Sequence, residues 1–179
     1  MAAWTHIAHD TIIGGLPAVS VTWSSISGSY DHLLVKVSAR TDKAGIYDPV
    51  RIQFNGDSTS GNYSNSYLYA GTATPGSGQD DGENYIHHFY AACGGTTLAD
   101  TFGAAEIWIP NYANSANYKS VICSGTVENN SSTDWEWMLT QLAGLWQDSS
   151  AITQIDLTTE GASEYQAYST FDLYGIKGA

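Results

Sequence analysis

The chain has 179 residues, of which 42% are hydrophobic and only 13% are charged. Its formal net charge is -12, from 6 Lys and Arg residues against 18 Asp and Glu residues. This acidic balance disfavours nucleic acid and anionic membrane surfaces as partners, because both are bound through basic patches. An acidic surface keeps a protein soluble and would also suit docking on a basic partner. The length allows one domain with a buried core, so we expect a single β-sandwich domain over residues 1–179.

The N-terminus has no basic stretch followed by an apolar core, so we expect no signal peptide. No apolar run approaches the roughly 20 residues of a membrane span. We therefore expect synthesis in a cytoplasm, where thiols stay reduced. Cys93 and Cys123 are accordingly predicted to be reduced and buried, like small hydrophobic residues. The alternative is that they form a disulfide with each other.

Period-two alternation predicts short strands along most of the chain, most clearly in residues 31–40, where Leu33, Val35, Val37 and Ala39 share one face. In chain order the predicted strands cover residues 4–13, 18–23, 31–40, 50–54, 67–70, 84–90, 102–109, 118–127, 135–146, 151–158 and 169–176. Since 67–70 is short and 135–146 is ambiguous, we expect about nine or ten strands in a jelly-roll-like, two-sheet antiparallel sandwich.

Two segments are harder to assign. The alternation from Trp135 onward indicates a strand, whereas Met138 and Leu142 fit helical spacing; the strand is favoured because Gly144 would interrupt a helix. Residues 71–82 are rich in Gly, Ser, Thr and Asp and predict an exposed flexible loop.

No pattern in the sequence specifies a reaction, and we expect no enzyme activity. The chain lacks a Gly-Xaa-Ser-Xaa-Gly nucleophile elbow, and neither cysteine has an activating context. A glycosidase is the enzymatic alternative, because such enzymes use two carboxylates across a sugar cleft. Outward strand carboxylates are more often simply solvated. The candidate carboxylates, which lie near three tryptophans, are Glu106, Glu128, Asp134 and Glu136.

Metal and cofactor sites are also not expected. His6 and His9 are three residues apart and His87 and His88 are adjacent, so in regular strands each pair would point to opposite faces. The segment Asp80-Asp-Gly-Glu83 offers oxygen ligands for calcium, but without the spacing of a calcium-binding loop it favours a solvated acidic turn.

Tyrosines near predicted loops provide a candidate contact surface. Tyr63, Tyr67 and Tyr69 are the residues we select for it. With Tyr85, Tyr112 and Tyr118 they would form a sugar platform, since a ring buries area at small entropic cost. The favoured alternative is that most of these rings cap the ends of the sandwich, with their hydroxyl groups bonded to loop backbone.

Five segments have strand and turn patterns that are typical of a known family: Val50-Arg-Ile-Gln-Phe-Asn-Gly-Asp57, Asn62-Tyr-Ser64, Ala105-Glu-Ile-Trp-Ile-Pro-Asn-Tyr112, Ser169-Thr-Phe-Asp-Leu-Tyr-Gly-Ile-Lys177 and residues 31–41. Together they resemble a group of small β-sandwich structural proteins of tailed bacteriophages. The resemblance covers most of the chain, but it consists of strand and turn patterns and brings no catalytic residue with it. It implies a virion protein, either a head decoration (cement) protein or a tail-fibre, receptor-binding module.

The chain lacks coiled-coil heptads and a long fibrous shaft, which favours decoration over a fibre. The resemblance then implies a homotrimer on the capsid surface whose partner is the major capsid protein of the same virion. We expect its contacts in the terminal segments and the Tyr-rich loops. The alternative is a tail-fibre, receptor-binding or carbohydrate-binding module with a glycan ligand.

Overall fold

The computed structural model describes residues 3–14, 18–71, 74–133 and 137–178. These residues contain twelve strands and one short 3-10 turn, Glu160–Ala162. The strands are β1 (Ala3–Thr11), β2 (Ser20–Trp23), β3 (His32–Arg40), β4 (Tyr47–Phe54), β5 (Tyr63–Ala70), β6 (Gly76–Glu83), β7 (Ile86–Cys93), β8 (Gly103–Pro110), β9 (Lys119–Val127), β10 (Met138–Trp146), β11 (Ile155–Thr159) and β12 (Thr170–Lys177). The predicted all-β, sandwich-like fold is confirmed, with more strands than the predicted nine or ten.

All twelve strands belong to one continuous hydrogen-bonded sheet that folds into two layers, which we call the long sheet and the short sheet. The long sheet has the order β1-β12-β3-β8-β9-β10-β5-β6, and the short sheet has the order β2-β11-β4-β7. All pairings are antiparallel except a short parallel contact that joins the layers, where Ala39 pairs with Ala92 and Arg40 with Cys93. Strand β7 of the short sheet packs across β9 and β10 of the long sheet. This packing encloses the hydrophobic core between the two layers.

Alternation places the core as the sequence predicts. Leu33, Val35 and Ala39 of β3 are fully buried, and they join one cluster with residues from both sheets. The ring of Trp146 packs 5.6 Å from that of Phe54, which links β10 of the long sheet to β4 of the short sheet. Such interdigitation of large side chains holds two stacked sheets together.

Strand β6 replaces most of the predicted loop over residues 71–82, so that prediction was wrong. The segment is poor in residues that favour strands. It forms a strand because it pairs with β5, and because Gly76 and Gly78 leave room for two rings of β5. A Cβ atom on Gly76 or Gly78 would lie 2.4 Å from ring atoms of Tyr69 or Tyr67, respectively. The pairing therefore depends on tertiary contacts that local composition does not reveal.

The ambiguous segment is a strand in its described part, since β10 runs from Met138 to Trp146. The helical alternative is therefore wrong there, and residues 135–136 of the prediction lie outside the described residues. Cys93 and Cys123 are both buried and free. Within the described ranges, none of the helical structure is long and apolar enough to cross a membrane.

Candidate binding face and histidine clusters

The outward side chains of β5, β9 and β10 are all uncharged, in a chain whose net charge is -12. We call this surface the uncharged face. Its residues lie in register across the three strands. They are Ser64, Ser66, Leu68 and Ala70 on β5, Ser120, Ile122, Ser124 and Thr126 on β9, and Leu139, Gln141, Ala143 and Leu145 on β10. Leu68, Ile122 and Leu139 are 62%, 58% and 49% exposed. Contiguous exposed apolar side chains on a soluble protein mark a surface for binding.

Three shallow depressions lie side by side on the uncharged face and share their linings. Leu68 and Gln141 line two of them, and Ile122 and Ala143 line the neighbouring pair. Gln141 donates a hydrogen bond of 2.6 Å from its Nε2 to the Oγ of Ser124 across β10 and β9. The polar groups here are thus partly paired with one another, which lowers the cost of removing them from water.

The other half of the same outer surface is charged. Lys36 on β3 and Glu106 on β8 form an ion pair of 2.9 Å, and the hydrogen bond and charge of Glu106 raise the pKa of Lys36. Glu106 is thereby engaged in a solvated pair, as outward strand carboxylates usually are. Glu128, another carboxylate considered for glycosidase chemistry, accepts the backbone N–H groups of Asn129 and Asn130. The remaining two candidates, Asp134 and Glu136, lie outside the described residues.

At the outer edge of the charged half, His6, His9 and Asp172 form the edge cluster. The Nε2 of His6 and the Nδ1 of His9 lie 2.8 and 2.7 Å from the same oxygen, Oδ1 of Asp172. Thr11 Oγ1 lies 2.7 Å from the Nε2 of His9. Burial would raise the pKa of Asp172, but the hydrogen bonds from His9 and His6 lower it.

The prediction that His6 and His9 point to opposite faces was wrong. The register between β1 and β12 shifts between His6 and Ala8, so one extra residue stands on β1. Such a β-bulge reverses the facing of every later residue on its strand. His9 therefore points to the same side as His6, and both reach Asp172.

A second group, the inner cluster of Asp80, His87 and His88, lies where β5 and β6 of the long sheet meet β7 of the short sheet. Asp80 Oδ2 is 3.6 Å from the Nε2 of His87 and 3.5 Å from the Nε2 of His88. The Oε1 of Glu83 lies 3.9 Å from the Nε2 of His87. These acidic residues belong to the segment predicted as a solvated acidic turn, and that prediction was wrong for Asp80 and Glu83 because both lie on β6.

His87 and His88 were also predicted to diverge, and a bulge again explains why they do not. Val50 pairs with Phe89 and Ile52 pairs with Ile86, so β7 accommodates two residues where β4 has one. His88 has a positive φ of 58°, which turns its side chain toward that of His87. The two ring centroids are consequently only 4.2 Å apart.

Neighbouring side chains support the inner cluster from several directions. Asn65, which is 3% exposed, donates from Nδ2 to Asp80 Oδ2 at 3.1 Å, and its Oδ1 accepts the His87 backbone N–H at 3.2 Å. The Tyr67 ring stacks on that of His88 at 4.5 Å. Burial lowers the pKa of His87, assisted by the nearby charge of His88. The lowered pKa favours the neutral imidazole, which can act as a ligand.

The predicted contact tyrosines all lie on strand β5, which contains the short strand predicted at residues 67–70 and extends it back to Tyr63. Tyr63 is fully buried; its hydroxyl accepts the Phe54 N–H and donates to the Asp57 carbonyl, so it cannot form a contact surface. Tyr67 and Tyr69 are half-buried on the inner side of β5, where their rings lie over β6. Their part in binding a partner stays a prediction.

Sequence reasoning missed both the uncharged face and the two clusters. The signal for the face is present in the sequence, because every second residue of β5, β9 and β10 is uncharged, but it becomes a surface only once the strands are paired in register. Comparison with known proteins finds no matching family model, curated protein or solved structure.

Proposed function

We propose that this chain is a non-enzymatic structural protein of a tailed bacteriophage particle that decorates and stabilises the assembled head shell. The proposal combines the resemblance of its strand and turn motifs with one structural observation, the uncharged face on β5, β9 and β10. We assign that face to docking on the major capsid protein. The chain would act as a homotrimer on the capsid surface, by binding alone.

The uncharged face suits a permanent contact for a physical reason. Burying it removes apolar side chains such as Leu68 and Leu139 from water without leaving a charge unpaired. Each Å² of apolar surface buried contributes about 25 cal/mol. The side chains project from paired strands with both neighbours in place, so the backbone loses little conformational freedom on binding.

The first test is the copy number of the chain in particles purified from the phage whose genome encodes it, measured by quantitative mass spectrometry. We expect a number comparable to that of the major capsid protein. A small number, like that of tail parts, would favour the receptor-binding or glycan-binding alternative. Absence from the particles would overturn both virion roles.

The second test addresses the face itself. Leu68→Glu places a charge on this face, opposite Gln141 of the central strand β10, and should abolish binding to particles that lack the protein, with the variant still folded because Leu68 is 62% exposed. Leu98→Glu is the matched control, since Leu98 is 57% exposed but lies in the turn before β8. Equal binding by the two variants, measured by co-sedimentation with particles, would remove the uncharged face from the proposal.

A further inference from the structure

We propose that Asp80, His87 and His88 bind a divalent first-row transition-metal ion, zinc by ligand type, with Glu83 beside the site. This inference concerns the inner cluster and is independent of the proposed role on a virion. The three residues offer one carboxylate oxygen and two imidazole nitrogens, all within 4.8 Å of one another. Imidazole and carboxylate together suit zinc and its neighbours, whereas calcium and magnesium take oxygen ligands.

The distances within the inner cluster fit metal ligation better than hydrogen bonding. An N–H···O bond spans about 2.7–3.2 Å, so separations of 3.5 and 3.6 Å between Asp80 Oδ2 and the two Nε2 atoms are too long. Ligand atoms about 2.0–2.1 Å from a tetrahedral zinc ion lie about 3.3–3.4 Å from one another. The observed separations are close to that edge length.

Burial supplies the second, independent observation. The Nε2 atom of His87 is closed to solvent and makes no hydrogen bond within the described part of the chain. A buried polar atom without a partner destabilises the folded state. Its neighbours Asp80 Oδ2 and Glu83 Oε1 approach without bonding it, at 3.6 and 3.9 Å. A metal ion among these atoms would give the nitrogen its missing partner.

The surroundings have the features of an outer coordination shell. Asn65 is buried and binds both Asp80 and the backbone of His87, so one amide orients two of the proposed ligands. The ring of Tyr67 fixes that of His88 by stacking. In metal sites such partners set ligand orientation, and their loss typically weakens metal binding about 10–100-fold.

The ion would join β6 and β7, which follow one another in the chain but do not pair with each other. Asp80 lies on β6, the last strand of the long sheet, whereas His87 and His88 lie on β7 of the short sheet. Ligation would therefore tie a polar edge strand to the opposite layer. We expect zinc to raise the melting temperature, because a ligand that binds only the folded state stabilises it.

The edge cluster provides a control of the same composition within the same chain. His6 and His9 already reach Asp172 at 2.8 and 2.7 Å, which are hydrogen-bond lengths, and both histidines are exposed. Binding of an ion there would have to displace satisfied hydrogen bonds. The proposal therefore predicts one zinc ion per chain, at the inner cluster.

The test is isothermal titration calorimetry, in which zinc chloride is titrated into the full chain after metal has been removed with a chelator. It measures the affinity and the number of zinc ions bound per chain. We expect one zinc per wild-type chain. His88→Asn should weaken binding by more than about tenfold while keeping the fold, since Asn tolerates the positive φ at this position. Asp80→Asn should do the same without changing the backbone, and His9→Asn should leave affinity and stoichiometry unchanged.

Cobalt absorption spectroscopy gives a second readout that does not depend on affinity alone. Co²⁺ bound to the wild-type chain should show the visible bands of a tetrahedral site, and Asp80→Asn should remove them. Circular dichroism confirms that each variant is folded. No zinc binding by the wild-type chain, or binding lost in His9→Asn but kept in His88→Asn and Asp80→Asn, would overturn the assignment.

Discussion

The two histidine clusters have the same composition and the same origin, yet they differ in what they leave unsatisfied. Each brings two histidines and one aspartate together across a β-bulge. In the edge cluster the Asp172 carboxylate lies at hydrogen-bond distance from both rings. In the inner cluster the same atom types are held 3.5–3.6 Å apart, and one buried nitrogen has no hydrogen-bond partner within the described residues.

The difference follows from location. The edge cluster projects from an outer edge strand into solvent, so its side chains can rotate until their hydrogen bonds are satisfied. The inner cluster lies between β6 of the long sheet and β7 of the short sheet, where Asn65 hydrogen-bonds Asp80 and the Tyr67 ring stacks on that of His88. Packing fixes its side chains at a separation that hydrogen bonding alone would not select. The two aspartates are similarly exposed, so the lower exposure of the histidines, 16% and 32% against 47% each in the edge cluster, separates the candidate ligand site from the surface ion pair.

The largest effect should come from removing the support of the inner cluster. Asn65→Ala leaves the His87 backbone N–H without its acceptor and takes one donor from Asp80. We expect about 1–3 kcal/mol less free energy of unfolding, measured by urea denaturation, because Asn65 is only 3% exposed and its two partners, the partly buried Asp80 side chain and the His87 backbone N–H, each lose a hydrogen bond. Thr11→Ala, which removes the matching support of His9, should cost less than about 1 kcal/mol. Equal losses would contradict the distinction between the clusters.

A smaller effect is expected from pH in metal-free protein. Burial lowers the pKa of His87 below its ordinary value of 6.5, so the unfolded chain takes up this proton more readily than the folded chain. The contribution of His87 to the free energy of unfolding is therefore fully present above about pH 6.5. It decreases as the pH falls below that value. His87→Gln should flatten the dependence of the urea midpoint on pH between about 7 and 5. An unchanged slope would mean that His87 titrates as it does in the unfolded chain.

The smallest effect should come from the Asp172 carboxylate of the edge cluster. The pKa of Asp172 is lowered overall, so its contribution is present above the unfolded pKa of about 3.9 and is lost as the pH falls through the folded value. Because the group is partly solvated, Asp172→Asn should change the free energy of unfolding at pH 7 by less than about 1 kcal/mol. Urea denaturation at pH 7 and at pH 3 measures this, and a difference between wild type and variant that grows toward pH 3 would contradict it.

Much of the fold was predictable from local patterns, because a strand with one buried face alternates wherever it pairs. The alternation of β3 identified Leu33 and Val35 as core residues, and both are fully buried. Strand β6 escaped prediction because its glycines are explained only by the rings of Tyr67 and Tyr69 that lie over them. The contact assigned to Tyr63 failed for a related reason, since proximity to a turn in the sequence does not exclude full burial.

The sequence by itself determined the acidic charge, the all-β class and the inward face of most strands, since each depends on composition or on a period of two. Only the tertiary structure decided which residues meet. The uncharged face exists because β5, β9 and β10 pair in one register, and both histidine clusters exist because bulges shift it. Register and bulges are set by packing between strands distant in sequence, so residues that regular alternation separates are brought together.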